Sequence, residues 1–229
     1  VDQISYLSGF TDAEIAQFVT TTPSEGDTLI TLTDGSTILK LAKAPDYDLT
    51  GTILSRGDGK LSDVAVTADT SSSTTDLTAT SSSTGTFSVE VDNGASMNLL
   101  ADMTHVNASP TKAITPQDAL EALRLSVGLT TIGGTKTAYD YMAADFNQNG
   151  KVTPQDALDI LKYSLGLRDL DTDWKFIDSA GDYSGITKSS VSYTEGVSVA
   201  AMTADLDIAM MGILLGDVND TYTGYLDIA

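Results

Sequence analysis

The sequence predicts a mostly β chain with a central pair of helices, an α+β protein made of several small domains. Three observations predict it. Short alternating apolar runs, bounded by Gly, Asp and Ser turns, fill residues 27–101 and return after 169. Between them one loop–helix text occurs twice, as AITPQDALEALRLSVGL at 113–129 and KVTPQDALDILKYSLGL at 151–167. And 229 residues at 41% hydrophobic content suffice for more than one small core.

Residues 1–48 open on a helix: Thr11 caps it, Glu14 follows three positions on, and Ile15, Phe18 and Val19 form its apolar stripe. DTLITLTDGSTILKLA (27–42) then gives two alternating runs joined by Asp34-Gly35, a hairpin signal. Residues 49–101 read as a small β-sandwich, with strands in LTGTILSR, SDVAVTAD, DLTATSSS and TFSVEVD. RGDGK (56–60) is the first turn between them, and its RGD is read as turn chemistry, not as a recognition motif. Residues 102–168 hold the repeat. Residues 169–229 form a C-terminal β-domain with strands in WKFIDS, SSVSYTE and LDIAMMGILLGDV, Trp174 and Phe176 being core anchors.

Charge and composition narrow the function. Thirty-two acids against 12 Lys+Arg give a net charge of −20. That opposes binding to nucleic acid or anionic membranes and suits divalent cations. The chain has no cysteine, so disulfides, thiolate metal sites and cysteine nucleophiles are excluded. An extracellular chain without disulfides needs another staple, and calcium is one. The single histidine, His105, lies among Thr and Asn, and neither a nucleophile elbow nor a phosphate-binding glycine loop is present. An enzyme is not expected.

The second copy of the repeat satisfies a hard cation at every loop position. Such an ion takes six to eight oxygens on flexible arms. Asp145, Asn147 and Asn149 offer side-chain oxygens at the first, third and fifth positions, Gly150 permits the turn, and Lys151 offers its carbonyl. Asp156 closes the loop at the twelfth position, where Thr153 caps a helix whose first turn holds Pro154. Ala157, Leu158, Leu161 and Leu165 are read as that helix's apolar face. The plainer alternative is an Asn-rich turn capping an ordinary helix. In the first copy Asn107, Ser109 and Thr111 take the side-chain positions, Ala113 the carbonyl and Asp118 the closing acid, leaving one carboxylate and a weaker site. GDVNDTY (216–222) places Asp217, Asn219 and Thr221 like the start of a further loop, but Ile228 stands at its twelfth position, so no complete site follows unless another segment or molecule supplies the rest.

With both copies on the page, the region 102–168 resembles a dockerin type I module, an EF-hand-like pair of calcium loops and helices. The resemblance implies calcium-dependent folding, two near-symmetric halves and docking to a cohesin-like receptor through the helices. Pro116-Gln117 and Pro154-Gln155 repeat just before the closing acids, which in that family would permit two docking orientations. GTILSRGDGKLSDVAVTAD…TGTFSVEV is similar to immunoglobulin-like sandwiches of the collagen-adhesin B or carboxypeptidase-regulatory type. The hairpin at 27–42 resembles those flanking repeats-in-toxin (RTX) calcium modules, and the tail resembles segments that follow dockerins in bacterial surface proteins exported by type I secretion. Two functions follow as expectations. One is a calcium-binding structural or adhesive subunit of a cell-surface layer, sheath or filament, a homo-oligomer. The other is an attachment module docked to a cohesin-like partner. Both are extracellular, at the cell surface.

Overall fold

The computed structural model describes residues 28–31, 37–40, 46–71, 75–105, 113–167 and 172–222. The chain divides into two compact units, Val1–Pro45 and Asp46–Ala229. In the first, strands β1 (Thr28–Thr31) and β2 (Thr37–Lys40) pair antiparallel from Thr28↔Lys40 to Thr31↔Thr37, as the Asp34-Gly35 signal leads one to expect. The helix expected around Thr11 lies outside the described residues.

Among the described residues, the second unit is an α+β assembly of two sheets and three helices. Its strands are β3 (Tyr47–Ser55), β4 (Ala65–Thr70), β5 (Leu77–Thr80), β6 (Thr86–Val91), β7 (Met97–Asp102), β8 (Thr104–His105), β9 (Thr172–Asp178), β10 (Val197–Val199) and β11 (Leu206–Leu214). One sheet has the order β10-β7-β4-β5, the other β6-β3-β11-β9-β8. Alternation decides which side chains face inward: Leu49 and Ile53 on β3, Val66 and Ala68 on β4, Phe87, Val89 and Val91 on β6 are all buried, with polar neighbours between them on the wet face. Met97 and Leu99 add β7, a strand whose alternation the sequence reading passed over.

Contrary to the expected C-terminal β-domain, the described strands after 169 form no sheet of their own but are shared between the two sheets. β11 pairs parallel with β3 (Leu206↔Leu49 to Gly212↔Ser55) and antiparallel with β9, while β10 pairs with β7. The cause is burial. Phe176, Met210 and Ile213 are all but inaccessible to solvent, and only a strand with neighbours on both sides has its backbone groups and its apolar face satisfied together. Trp174 and Phe176 are buried and stacked on one face of β9, as read from the sequence. SSVSYTE is not a strand; Val191 N–H donates to the Gly150 carbonyl and Val152 N–H to the Lys188 carbonyl, so this segment spends its backbone on the loop that opens α3.

The helices are α1 (Pro116–Ser126), α2 (Ala138–Ala144) and α3 (Pro154–Ser164), and α1 packs against α3. α2 was not expected, although Thr137 and Asp140 cap it as Thr115/Asp118 and Thr153/Asp156 cap the others. The repeat reappears in burial: Asp118/Asp156, Ala119/Ala157, Glu121/Asp159, Ala122/Ile160 and Ser126/Ser164 all face inward. The expected apolar face is thereby corrected. Ala157 is buried and Leu161 partly so, but Leu158 is 42% and Leu165 56% exposed. Their counterparts Leu120 and Val127 are 48% and 60% exposed. Each helix buries Ala119 or Ala157 together with a large residue, Leu125 or Ile160, and leaves the leucine beside each alanine, Leu120 or Leu158, outside.

Candidate metal centre

The loop 145–156 is shaped by its own side chains. Asp145 Oδ1 accepts the N–H of Asn149 at 3.1 Å and its Oδ2 that of Gly150 at 2.9 Å. Asn147 Oδ1 accepts the N–H of Asn149, and Asn149 Oδ1 that of Lys151. Asp156 bridges loop and helix: Oδ1 accepts the N–H of Asn147 at 3.2 Å, while Oδ2 accepts both the N–H and the hydroxyl of Thr153. Positive φ at Gln148 (56°) and Gly150 (82°) closes the turn, which explains the glycine. Thus the predicted donors Asp145, Asn147, Asn149 and Asp156 are brought together, with Lys151 beside them in the chain.

Both acids are shut away from solvent, Asp145 at 5% and Asp156 at 0% exposure. Burial pushes the Asp145 carboxyl above its ordinary range, and the nearby Asp156 charge pushes it the same way. Two buried carboxylates therefore repel one another in a loop that also holds the side-chain oxygens of Asn147 and Asn149. A bound cation would remove that cost. Among the described residues no group of three or more His, Cys, Asp or Glu that could hold a metal ion occurs; what the loop gathers is two carboxylates with side-chain amide oxygens, the oxygen type that a hard ion takes.

The first copy is placed differently. Asn107, Ser109 and Thr111 lie outside the described residues, whereas Ala113 and Asp118 are buried. Asp118 Oδ2 takes the N–H and hydroxyl of Thr115 at 2.8 Å each, as Asp156 does with Thr153. Its Oδ1 accepts the N–H of Asn219 at 3.1 Å. Asp217 and Asn219 thus lie against α1, far from them in sequence.

The turn that brings them there is tied to its surroundings. Gly216, at φ 89°, donates its N–H to the Ala143 carbonyl. Arg56, 7% exposed, donates to the carbonyls of Asp217 (2.9 Å) and Val218 (3.2 Å) and pairs with Asp140 and Asp220. The arginine of the RGD triplet is therefore spent inside the protein, and 56–59 is a turn, as read. Among the described residues no helix is long and apolar enough to cross a membrane. Comparisons with protein-family models, with curated proteins and with solved structures found no match.

Proposed function

We propose that the chain is a non-enzymatic, calcium-binding structural and adhesive protein of the extracellular cell surface, held to other protein by its helix pair. The observation that carries this reading is the exposed apolar set on α1, on α3 and on the turns that follow them. Leu120/Leu158, Val127/Leu165 and Leu129/Leu167 recur in repeat register, each between 42% and 72% exposed. Isolated exposed apolar residues need no explanation, but five leucines and a valine in two matched sets on neighbouring elements form a surface suited to a partner. The dockerin resemblance fits the same face to a cohesin-like receptor. A second copy of the chain fits it too, and would make the protein a subunit of a layer, sheath or filament.

Calcium would be held by Asp145, Asn147, Asn149, the Lys151 carbonyl and Asp156, and would fix the start of α3 and so the helix pair. In support stand the buried carboxylate pair and the side-chain oxygens of Asn147 and Asn149 in the same loop. Extracellular calcium would also serve a cysteine-free chain exported unfolded, as type I secretion requires. The test is light scattering coupled to size-exclusion chromatography, in calcium and in chelator, on the parent and on Leu158→Asp/Leu165→Asp. Calcium-dependent assembly abolished by the double variant supports the subunit reading. A monomer in both media points to a separate receptor. Assembly that ignores the double variant would reject the helix face.

A further inference from the structure

Placed beside the loop that opens α3, the segment 217–222 repeats its bonding. Asp145 takes the N–H groups of the residues four and five positions on, Asn149 and Gly150; Asp217 takes those of Thr221 (2.9 Å, Oδ1) and Tyr222 (2.9 Å, Oδ2). Asn147 donates its N–H to the closing acid Asp156; Asn219 donates its N–H to Asp118, the closing acid of α1. Gln148 has φ 56°, and so has Asp220. The Thr221 hydroxyl lies 3.1 Å from the carbonyl of Ala113, the residue that stands in the first copy where Lys151 stands in the second. One position differs: Gly150 turns the chain with φ 82°, whereas Tyr222 has no positive φ. It needs none, because the next donor comes from another segment.

We propose that 217–221 and 113–118 form a second calcium site, split across the chain, with Asp217, Asn219 and Thr221 as its opening half and the Ala113 carbonyl and Asp118 as its closing half. The inference deepens the calcium reading above and rests on the same loop chemistry. Resemblance of bonding alone would not carry it. The independent observation is Asn219 Oδ1: it is fully buried and accepts no hydrogen bond. A buried amide oxygen left bare costs stability unless a ligand takes it, and this one belongs to the residue whose N–H bonds Asp118 and which follows Asp217 by two positions. Asp217 is 2% and Asp118 0% exposed. Burial, with the Asp118 charge adding to it, pushes the Asp217 carboxyl up to about 6, and burial raises Asp118 as well. Arg56 offsets part of this, but its guanidinium bonds the 217–218 carbonyls and pairs with Asp140 and Asp220, not with the Asp217 carboxylate.

The full chain offers its own reporter. The single tryptophan, Trp174, lies edge-on to Tyr222 with ring centroids 4.9 Å apart, and Tyr222 N–H is bonded to Asp217. Terbium in the split site would therefore luminesce on excitation of the tryptophan. Native mass spectrometry in calcium should count two ions on the parent chain. Asn219→Ala removes a side-chain oxygen that bonds nothing in the protein, so the circular dichroism should stay unchanged. One calcium affinity should fall roughly 10–100-fold, and the tryptophan-excited terbium emission should be lost. Asp217→Asn, nearly isosteric, should do the same. Asp145→Ala should lose the other ion and keep the emission. Two ions of parental affinity on Asn219→Ala and Asp217→Asn would overturn the split site. A single ion, lost only in Asp145→Ala, would overturn it while leaving the first site standing. No ion at all would overturn both.

Discussion

The loop that opens α3 is one unbroken run, 145–156; the loop region that opens α1 is met by a segment about a hundred residues further on, Asn219 bonding Asp118 across 101 positions. The two halves nevertheless place donors and acceptors alike. The closing acid uses one oxygen to cap its helix and the other to hold the third loop residue, in both cases. What the arrangement requires is therefore a helix start carrying Thr, Pro and Asp; the opening half is transferable. The energetic difference is equally plain. A ligand in the unbroken loop orders neighbours in sequence. A ligand in the split one ties the end of β11 to α1, so its binding energy becomes stability of the whole second unit.

The widest expected effect comes from removing calcium. At ~100 times its dissociation constant each ion contributes about 2.7 kcal/mol, so chelation should cost about 5 kcal/mol in urea unfolding if both halves bind. A loss of only about half that would break the comparison, leaving the split half held by protein alone. Next is Arg56→Ala, which strips a buried guanidinium from Asp140, Asp220 and two carbonyls and should cost about 3 kcal/mol. Hydrogen exchange should then quicken at Thr221 and Tyr222 and leave Gly150 protected; equal quickening at both would show that the halves are not separable. Gly216→Ala comes third, at about 2 kcal/mol by thermal unfolding, since its φ is 89° and a Cβ would stand 2.9 Å from the Phe146 ring. Smallest are the paired caps: Thr115→Ala and Thr153→Ala should each cost about 1 kcal/mol, and near-equality in the same assay sharpens the likeness of the two helix starts.

Legibility in the sequence followed chain distance. The unbroken loop could be read because Asp145, Asn147, Asn149, Gly150 and Asp156 sit in one register. Its partner could not, because nothing local says that Asp118 will meet Asn219; the bare spacing of Asp217, Asn219 and Thr221 was visible, its completion was not. Strands β3, β4, β5 and β6 were legible from alternation, yet the parallel pairing of β3 with β11 rests on a contact 157 residues long in sequence, Leu49 with Leu206. The stripe of Leu158 and Leu165 was legible as apolar; that it stays exposed was not. Periodicity reports that a face is uniform and is silent on what covers it.

The parallel pairing of β3 and β11 has a mechanical consequence. A tension applied where the chain enters β3, at Tyr47, and where it leaves β11, at Leu214, pulls the two strands along their length in opposite directions. The register from Leu206↔Leu49 to Gly212↔Ser55 is then loaded in shear, all rungs together, instead of being unzipped one rung at a time. A load applied C-terminal to 221 instead would have to pass through 217–221 before it reached β11. A clasp there would decide whether force arrives at the strand interface at all.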